Sequence, residues 1–196
     1  MGGVKPRAVF LDRDGTLNVK AAAHEYITSV DDFVWLKDAT SGLARLAGAG
    51  YLLAIVSNQR GVGRGLFSAD VLDEIEKRIQ SDLASSGSAI TAFRYCLHDY
   101  DATCDCRKPK PGLITRLADE LDLDLESSWM IGDDDSDVLA GRSAGVRTVL
   151  IGAEPTTSRP DLVADSLAAA SEMICATDAQ PAPVVPTPDS NSAIRA

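Results

Sequence analysis

The sequence predicts an α/β fold with a mostly parallel central sheet, because two patterns alternate along most of the chain. Short runs of almost continuous hydrophobic residues suit strands that are covered on both faces, as in parallel sheets. Helical patterns separate these runs, as they do in folds built from repeated strand and helix units. The chain has 196 residues, of which 45% are hydrophobic and 24% are charged. This length and balance favour a single globular domain with a sizeable core.

Five segments have the strand pattern and four have the helical one. The predicted strands are residues 8–11, 52–56, 93–97, 129–131 and 147–151. The predicted helices are residues 41–46, 69–84, 112–121 and 137–144. Ser68 is a suitable N-cap for the second helix, and Gly87 is a suitable stop after it. From residue 177 onward, Pro, Ser, Ala and Asp dominate without a periodic apolar face, which predicts a domain over 1–176 and a disordered, non-catalytic tail over 177–196.

Charge and hydropathy restrict the possible partners. The chain carries 19 basic and 29 acidic residues, which give a formal net charge of -10. Such a charge disfavours binding to nucleic acid or to anionic membranes, although a local cluster of Arg and Lys can still bind a small anion. No apolar run approaches the roughly 20 residues of a membrane span, and the N-terminus lacks a signal-peptide core. We therefore expect a cytoplasmic monomer.

Two acidic clusters follow two of the predicted strands. The first strand runs into Asp12-Arg13-Asp14-Gly15-Thr16, and the fourth runs into Gly132-Asp133-Asp134-Asp135-Ser136-Asp137. Either cluster alone could be a surface turn or a solvated acidic loop. Both clusters, however, would lie at the carboxyl edge of one sheet, where open α/β sheets bind ligands. Together they offer the oxygen ligands that Mg²⁺ prefers.

Two further segments are suited to holding an anion. Ser57-Asn58-Gln59-Arg60-Gly61 follows the second strand, and a hydroxyl and amides at a strand end can hold phosphoryl oxygens. Arg107-Lys108-Pro109-Lys110-Pro111-Gly112 is a cationic segment stiffened by two prolines. Each would be interpreted as an ordinary solvated loop if it stood alone.

Four soft metal ligands lie within eleven residues. Cys96, His98, Cys104 and Cys106 form the pattern C-x-H-x5-C-x-C, which suits a tetrahedral Zn²⁺ with no open position. The alternative is a set of core cysteines beside a surface histidine. We expect a structural zinc site that fixes the adjoining loop and so aims its Arg and Lys side chains. Cys175 lies far away in the sequence and is expected to be an ordinary thiol.

The ordered motifs resemble those of the haloacid dehalogenase superfamily over roughly residues 8 to 152. The matching segments are Phe10-Leu11-Asp12-Arg13-Asp14-Gly15-Thr16-Leu17-Asn18, Ser57-Asn58-Gln59, Lys108 and Gly132-Asp133 through Asp137. The resemblance implies a Rossmann-like three-layer sandwich in which Asp12 and Asp133 meet across the switch point of the sheet. The stretch between Asp14 and Ser57 is too short for a large cap domain, which leaves an open site.

The resemblance also implies roles for the motif residues. Asp12 would be a covalent nucleophile, and Asp14 would be the general acid and base. Asp12, Asp133 and the backbone carbonyl of Asp14 would hold Mg²⁺. Ser57 and Lys108 would bind phosphoryl oxygens, with Asn58 and Gln59 beside them. Asp137 would support its loop or orient Lys108.

Within this superfamily, the zinc loop resembles the D-glycero-D-manno-heptose 1,7-bisphosphate phosphatases and the related histidinol-phosphate phosphatases. Gly63-Arg64-Gly65-Leu66-Phe67-Ser68 and Lys108-Pro109-Lys110-Pro111-Gly112 look more like the heptose group. The resemblance implies a small phosphorylated sugar as substrate, hydrolysed at C7. Arg60, Arg64 and Arg107 could then bind a second, non-reacting phosphate.

Two departures and three alternatives accompany this interpretation. The residue after the second motif aspartate is usually cationic in both relatives, whereas here it is Asp134. The loop over residues 20–25 also looks longer than usual, and His24 within it is expected to be solvated. Histidinol phosphate or another phosphomonoester is the alternative substrate. A phosphoacceptor signalling domain would need no acid or base at Asp14, and a zinc-dependent interaction module would leave Asp12 unexplained.

Overall fold

The central sheet has six strands, all of them parallel, in the order β3-β2-β1-β4-β5-β6. The computed structural model describes residues 4–22, 25–152 and 157–179. The strands are β1 Ala8–Leu11, β2 Leu52–Asn58, β3 Ala92–Cys96, β4 Trp129–Gly132, β5 Arg147–Ile151 and β6 Leu162–Ala164. The α/β fold with a parallel sheet is therefore confirmed.

Helices cover both faces of this sheet. They are α1 Ala39–Gly48, α2 Arg60–Gly63, α3 Ala69–Ala84, α4 Gly112–Leu121, α5 Asp135–Ala144 and α6 Leu167–Asp178, with a 3-10 turn at Val30–Asp32. In β1, Val9 and Leu11 pack into the core under α1, α3 and α6, while Ala8 and Phe10 pack into the core under α4 and α5. Because successive side chains of a strand point to opposite faces, this buried strand contributes to both cores of a three-layer sandwich.

The strand order places the functional edge between β1 and β4. From β1 the chain builds β2 and β3 on one side and later β4, β5 and β6 on the other, so the winding reverses at the β1–β4 pair. The amide of Asp12 donates to the carbonyl of Ile131 at 2.9 Å, which extends this pairing past the end of β1. A crevice at the carboxyl ends of the strands opens at such a switch point.

The C-terminal part of the fold differs from the sequence prediction. Strand β6 and helix α6 were not predicted, since β6 is three residues long with an exposed Val163, and α6 is dominated by small residues. Helix α6 ends at Asp178 and so passes the predicted domain boundary at residue 176. The remainder of the predicted tail, 180–196, lies outside the described residues. Within the described ranges, no helix is long and apolar enough to cross a membrane.

The end of α6 is fixed to the sheet by one carboxylate, which leads to a first prediction. Asp178 accepts hydrogen bonds from Arg7 at 3.0 Å, from Arg147 at 2.7 Å and from the hydroxyl of Tyr51. Burial opposes ionisation, but Arg147, Tyr51 and Arg7 outweigh it and lower the pKa of Asp178. Asp178→Ala should cost about 2 kcal/mol of the free energy of unfolding, measured in urea at pH 7.

The pH dependence follows from the sign of that shift. A lowered pKa in the folded state gives a contribution that is complete at neutral pH and is lost as the pH falls through the folded-state pKa. The difference between the wild type and Asp178→Ala should therefore shrink in acid. Asp165→Ala, at an exposed position just before α6, is the matched control. If Asp178→Ala lost no more of the free energy of unfolding at pH 7 than Asp165→Ala does, this account would be contradicted.

Candidate active site

Asp12 and Lys108 form a buried ion pair at the switch point of the sheet. Asp12 directly follows β1, and Lys108 comes from the loop before α4, with only 4% of its surface exposed. The Nζ atom of Lys108 lies 2.7 Å from Asp12 Oδ1 and 2.8 Å from the carbonyl oxygen of Val56. Burial opposes ionisation of Asp12, but Lys108, together with hydrogen bonds from Ser57 and a backbone amide, lowers the pKa of this carboxyl. Asp12 is thus held as a carboxylate in a fixed orientation.

A second carboxylate shares the same ammonium group. Asp137 Oδ1 lies 2.6 Å from Lys108 Nζ, and Asp137 Oδ2 accepts a hydrogen bond from the amide of Asp134. Burial raises the pKa of Asp137. The positive charge of Lys108 opposes this rise, and the negative charge of the neighbouring Asp12 adds to it. Asp137 therefore both supports its loop, within the capping box of α5, and orients Lys108.

The carboxylates of Asp12, Asp133 and Asp137 could hold a metal ion, since their oxygens all lie within 4.8 Å of one another. Asp133 Oδ1 is buried and has no hydrogen-bond partner among the described residues. A Cβ atom at Gly15, which has φ +91°, would clash with the carboxylate of Asp133, so glycine permits the close approach. Burial and the charge of Asp12 raise the pKa of Asp133, against the opposing effect of Lys20. An oxygen donor set with an unpaired buried atom fits Mg²⁺.

Asp14 is held by a network of donors on the other side of Asp12. Its carboxylate accepts from Arg13 at 2.8 Å, from Asn18 at 2.9 Å and from Gln59 at 2.9 Å. Arg13 is fully buried, although it lies between two motif aspartates in a turn. The amide of Gln59 also donates to Ser57 Oγ at 3.1 Å, so hydrogen bonds connect Asp14 through Gln59 and Ser57 to Asp12.

Asn58 acts on the backbone of Lys108. Its Oδ1 accepts from the amide of Lys108, and its Nδ2 donates to the carbonyl of Lys108, both at 3.1 Å. Because both ends of this side-chain amide are used, Asn58 aligns the loop that carries the buried lysine. Of the three residues in the predicted segment Ser57-Asn58-Gln59, Ser57 places its hydroxyl beside Asp12. The side-chain amides of Asn58 and Gln59 hold the backbone of Lys108 and the carboxylate of Asp14.

Cationic and aromatic side chains lie together across the pocket from these carboxylates. Arg60 stacks on the ring of Tyr100 at 4.0 Å and donates to the hydroxyl of Tyr26 at 3.0 Å. Arg107 lies 5.0 Å from the same ring and donates to the backbone carbonyls of His98 and Asp99. The guanidinium groups of Arg60 and Arg107 therefore flank one aromatic ring at the edge of the pocket.

These groups surround one open pocket of about 760 Å³. Its walls include the predicted residues Asp12, Asp14, Ser57, Asn58, Gln59, Arg60, Arg107, Lys108 and Asp133. Arg64 is not among the residues that line the pocket. Its guanidinium group lies 3.5 Å from the hydroxyl of Tyr26 and 3.9 Å from the carboxylate of Asp99. A small anionic molecule can enter because helices of a large cap are not present among the described residues.

The four predicted zinc ligands converge beside this pocket. His98 Nδ1 lies 3.5 Å from Cys96 Sγ and 3.3 Å from Cys106 Sγ, and the Sγ atoms of Cys96 and Cys104 are 3.9 Å apart. Sulfur atoms around a tetrahedral zinc are about 3.8 Å apart, given Zn–S bonds of about 2.3 Å. Burial and the neighbouring thiols raise the pKa of Cys106 to about 12, so a cation would be needed to hold this sulfur as a thiolate. The cluster could therefore hold a zinc ion, and Arg107 follows it directly.

Comparisons with known proteins agree with this geometry. A HAD-hydrolase-like family model matches residues 105–170. The D-glycero-β-D-manno-heptose-1,7-bisphosphate 7-phosphatase of Pasteurella multocida is 40% identical over 152 residues, which cover 74% of this chain and 81% of that enzyme. The corresponding enzyme of Haemophilus influenzae is 35% identical over 167 residues, covering 81% of this chain and 89% of the relative. The chain belongs to the heptose bisphosphate phosphatase family of the haloacid dehalogenase superfamily.

A solved structure of a family member has the same fold over its whole length. The D,D-heptose 1,7-bisphosphate phosphatase from B. bronchiseptica, complexed with magnesium and phosphate, superposes with a TM-score of 0.79 at 29% identity. The match covers 87% of this chain and 99% of that one. The chain is accordingly a phosphoric monoester hydrolase, as the order of its motifs indicated.

The structure also adds residues to the family site that sequence reasoning missed. Arg13 gave no signal, because an arginine within a turn of acidic residues is ordinarily exposed. Lys20, Tyr26 and Tyr100 line the pocket from loops, and a loop's direction cannot be read from its composition. Lys20 belongs to the loop over residues 20–25, in which Ala23 and His24 lie outside the described residues, so the expectation for His24 stays a prediction.

Proposed function

We propose that this chain hydrolyses the 7-phosphate of D-glycero-β-D-manno-heptose 1,7-bisphosphate through a phosphorylated Asp12. The observation that carries the proposal is the carboxylate of Asp12, fixed by Lys108 at the switch point of the sheet and facing Asp133. Relatives at 35% and 40% identity that cover most of the chain bear the name of this activity. The pocket is open, with no large cap among the residues that the structure describes, and suits a phosphorylated sugar.

The first chemical step uses the fixed geometry of Asp12. A carboxylate oxygen of Asp12 attacks phosphorus in line with the ester oxygen, the new P–O bond forms, and the bond to the sugar oxygen breaks. Lys108 is not suited to be the general acid, since its ammonium group is buried between two carboxylates and donates a hydrogen bond to the carbonyl of Val56. Its role is to orient Asp12 and to offset the charge of the phosphoryl oxygens.

The proton transfers fall to Asp14. Its carboxyl group gives a proton to the departing sugar oxygen and, in the second step, accepts one from the water that attacks the phosphoryl group on Asp12. That attack releases inorganic phosphate and restores the Asp12 carboxylate. Arg13, Asn18 and Gln59 hold Asp14 in the orientation that both transfers require. A bound Mg²⁺ would be held by Asp12, Asp133 and the carbonyl of Asp14 and would reduce repulsion between the nucleophile and the phosphate.

The second phosphate of the substrate has cations available at the outer edge of the pocket. Arg60 and Arg107 flank Tyr100 there, and Arg64 lies behind them beside Asp99. Guanidinium groups bind phosphate by paired hydrogen bonds. This arrangement favours a bisphosphate over a monophosphate.

A phosphatase screen tests the substrate. It would compare both anomers of the heptose bisphosphate with fructose 1,6-bisphosphate, histidinol phosphate and a simple aryl phosphate. We expect kcat/KM for the β-anomer to exceed the others by about tenfold or more. Arg60→Gln should remove much of this preference and leave aryl phosphate turnover within about threefold, whereas Arg78→Gln on the exposed side of α3 should change neither. Equal rates on histidinol phosphate would contradict the sugar bisphosphate assignment.

We further propose that the cluster of Cys96, His98, Cys104 and Cys106 holds a structural zinc ion. Removing zinc with a selective chelator, at saturating Mg²⁺, should lower Tm by about 10 °C or more, and adding zinc back should restore it. Activity should fall with it, because Lys108 is two residues beyond the cluster. Cys106→Ser should reproduce the loss, and Cys175→Ser, a half-buried cysteine outside the cluster, should not. Unchanged melting and activity after chelation would rule out this role.

A further inference from the structure

Lys20 reaches into the phosphatase pocket from the loop that follows the first motif. Its Nζ atom lies 2.7 Å from Asp133 Oδ2, while its side chain remains 55% exposed. The backbone before it is fixed: the amide of Val19 donates to the carbonyl of Val34 at 2.8 Å, and Asn18 Nδ2 donates to the carbonyl of Val19 at 2.9 Å. Because its backbone is anchored and its long side chain is more than half exposed, Lys20 has a defined direction and room to move its ammonium group.

An exposed ion pair of this kind contributes little to stability, so a structural role explains the contact poorly. The acidic surroundings explain it better. Lys20 pairs directly with Asp133, whose carboxylate lies within 4.8 Å of that of Asp12, and Asp134 lines the same pocket. A doubly charged phosphate ester must enter this same region, and a further cation on the side of Asp133 would reduce the repulsion that it meets from these carboxylates.

The other cations of the pocket lie elsewhere than beside Asp133. Among the described residues that line it, the cations are Lys20, Arg60, Arg107 and Lys108. Lys108 is buried between Asp12 and Asp137, and the two arginines lie across the pocket around Tyr100. Of these described cations, only Lys20 pairs with Asp133, and its side chain is more than half exposed.

Asp134 adds a further carboxylate to this side of the pocket, directly after Asp133. Its side chain caps α5, accepting from the amide of Ser136 at 2.8 Å. Lys20 brings a positive charge to the same side of the pocket from a different loop.

We propose that Lys20 is a substrate-binding residue, whose ammonium leaves Asp133 when a divalent cation binds there and then contacts the phosphoryl oxygens of the substrate. The proposal rests on the phosphatase function proposed above and adds to it one residue and one exchange of partners. The exchange has two consequences of opposite sign. Lys20 competes with the cation for Asp133, and it assists the binding of the anion.

The test compares Lys20→Met and Lys20→Arg with the wild type in the zinc-loaded full chain. One measurement is the inhibition constant of inorganic phosphate at saturating Mg²⁺, and the other is the dissociation constant of Mg²⁺ alone by calorimetry. Lys20→Met should raise the phosphate constant about tenfold, as expected for loss of one charge-assisted contact. It should leave Mg²⁺ binding unchanged or tighter. Lys20→Arg should restore most of the phosphate binding.

Lys37→Met is the matched control, since Lys37 is an exposed lysine on the turn before α1 and outside the pocket. A phosphate constant within twofold of this control would overturn the proposal. Weaker Mg²⁺ binding in Lys20→Met would also overturn it, because it would mean that Lys20 only holds Asp133 in place. Inorganic phosphate binding does not depend on the sugar, so failure of the wild type on heptose bisphosphate would count against the proposed substrate alone.

Discussion

Asp12→Asn is expected to reduce kcat by about four orders of magnitude or more and to leave the fold intact. The amide of asparagine has the shape of the carboxylate but cannot form a phosphoryl bond of the same kind, so the covalent route is lost. The fold should persist because Lys108 keeps its contacts with Asp137 and the carbonyl of Val56. The measurements are steady-state turnover of the preferred sugar bisphosphate and the thermal unfolding curve.

The control for Asp12→Asn is Asp119→Asn, which makes the same change of charge on the exposed face of α4. It should retain wild-type turnover. Residual activity of Asp12→Asn within tenfold of the wild type, in protein that melts normally, would contradict the covalent mechanism. A collapse of Tm would instead mean that Asp12 is required for folding.

Lys108→Met is expected to have the second largest effect and to act on both stability and catalysis. Lys108 is the ammonium between Asp12 and Asp137, and both carboxylates are buried. Removing one partner from a buried ionic group costs about 3–5 kcal/mol of unfolding free energy, because the remaining charges lose their compensation. Loss of a fixed cation beside the reacting phosphoryl group should also lower kcat by about a thousandfold. Urea denaturation and turnover measure the two effects separately.

A double variant separates these roles of Lys108. Adding Asp137→Asn to Lys108→Met removes the second uncompensated carboxylate, so part of the lost stability should return. Turnover should not return, since nothing replaces the ammonium beside Asp12. If the double variant were as unstable as Lys108→Met alone, Asp137 would not be the buried partner that the 2.6 Å contact indicates.

The sheet and the meeting of its motifs could be predicted from sequence because both follow from local rules. A buried parallel strand is recognisable by its continuous hydrophobicity, and residues that follow such strands must gather at one edge. This is why Asp12, Ser57 and Asp133 could be placed together before any geometry was known. Strand β6 and helix α6 were not predicted, because a three-residue edge strand and an alanine-rich helix have weak hydrophobic patterns of their own. Their position depends on tertiary contacts, such as those of Asp178.

The supporting residues of the site could not be predicted for a related reason. The complete burial of Arg13 depends on what the folded chain places around it, and the contact of Lys20 with Asp133 joins residues far apart in the chain. No local pattern encodes either contact. The cluster proposed to bind zinc was an exception, because four soft donors in one short segment can converge without help from the rest of the fold.

The central claim is that Asp12 carries the phosphoryl group during turnover, and rapid acid quenching tests it most directly. The wild-type enzyme, mixed with excess sugar bisphosphate and Mg²⁺ and quenched within milliseconds, would be digested and analysed by mass spectrometry. The account predicts one added phosphoryl group on the peptide that contains Asp12, formed at least as fast as product and absent from Asp12→Asn. A quenched enzyme that turns over substrate yet carries no phosphoryl group, or carries it on another residue, would contradict the account.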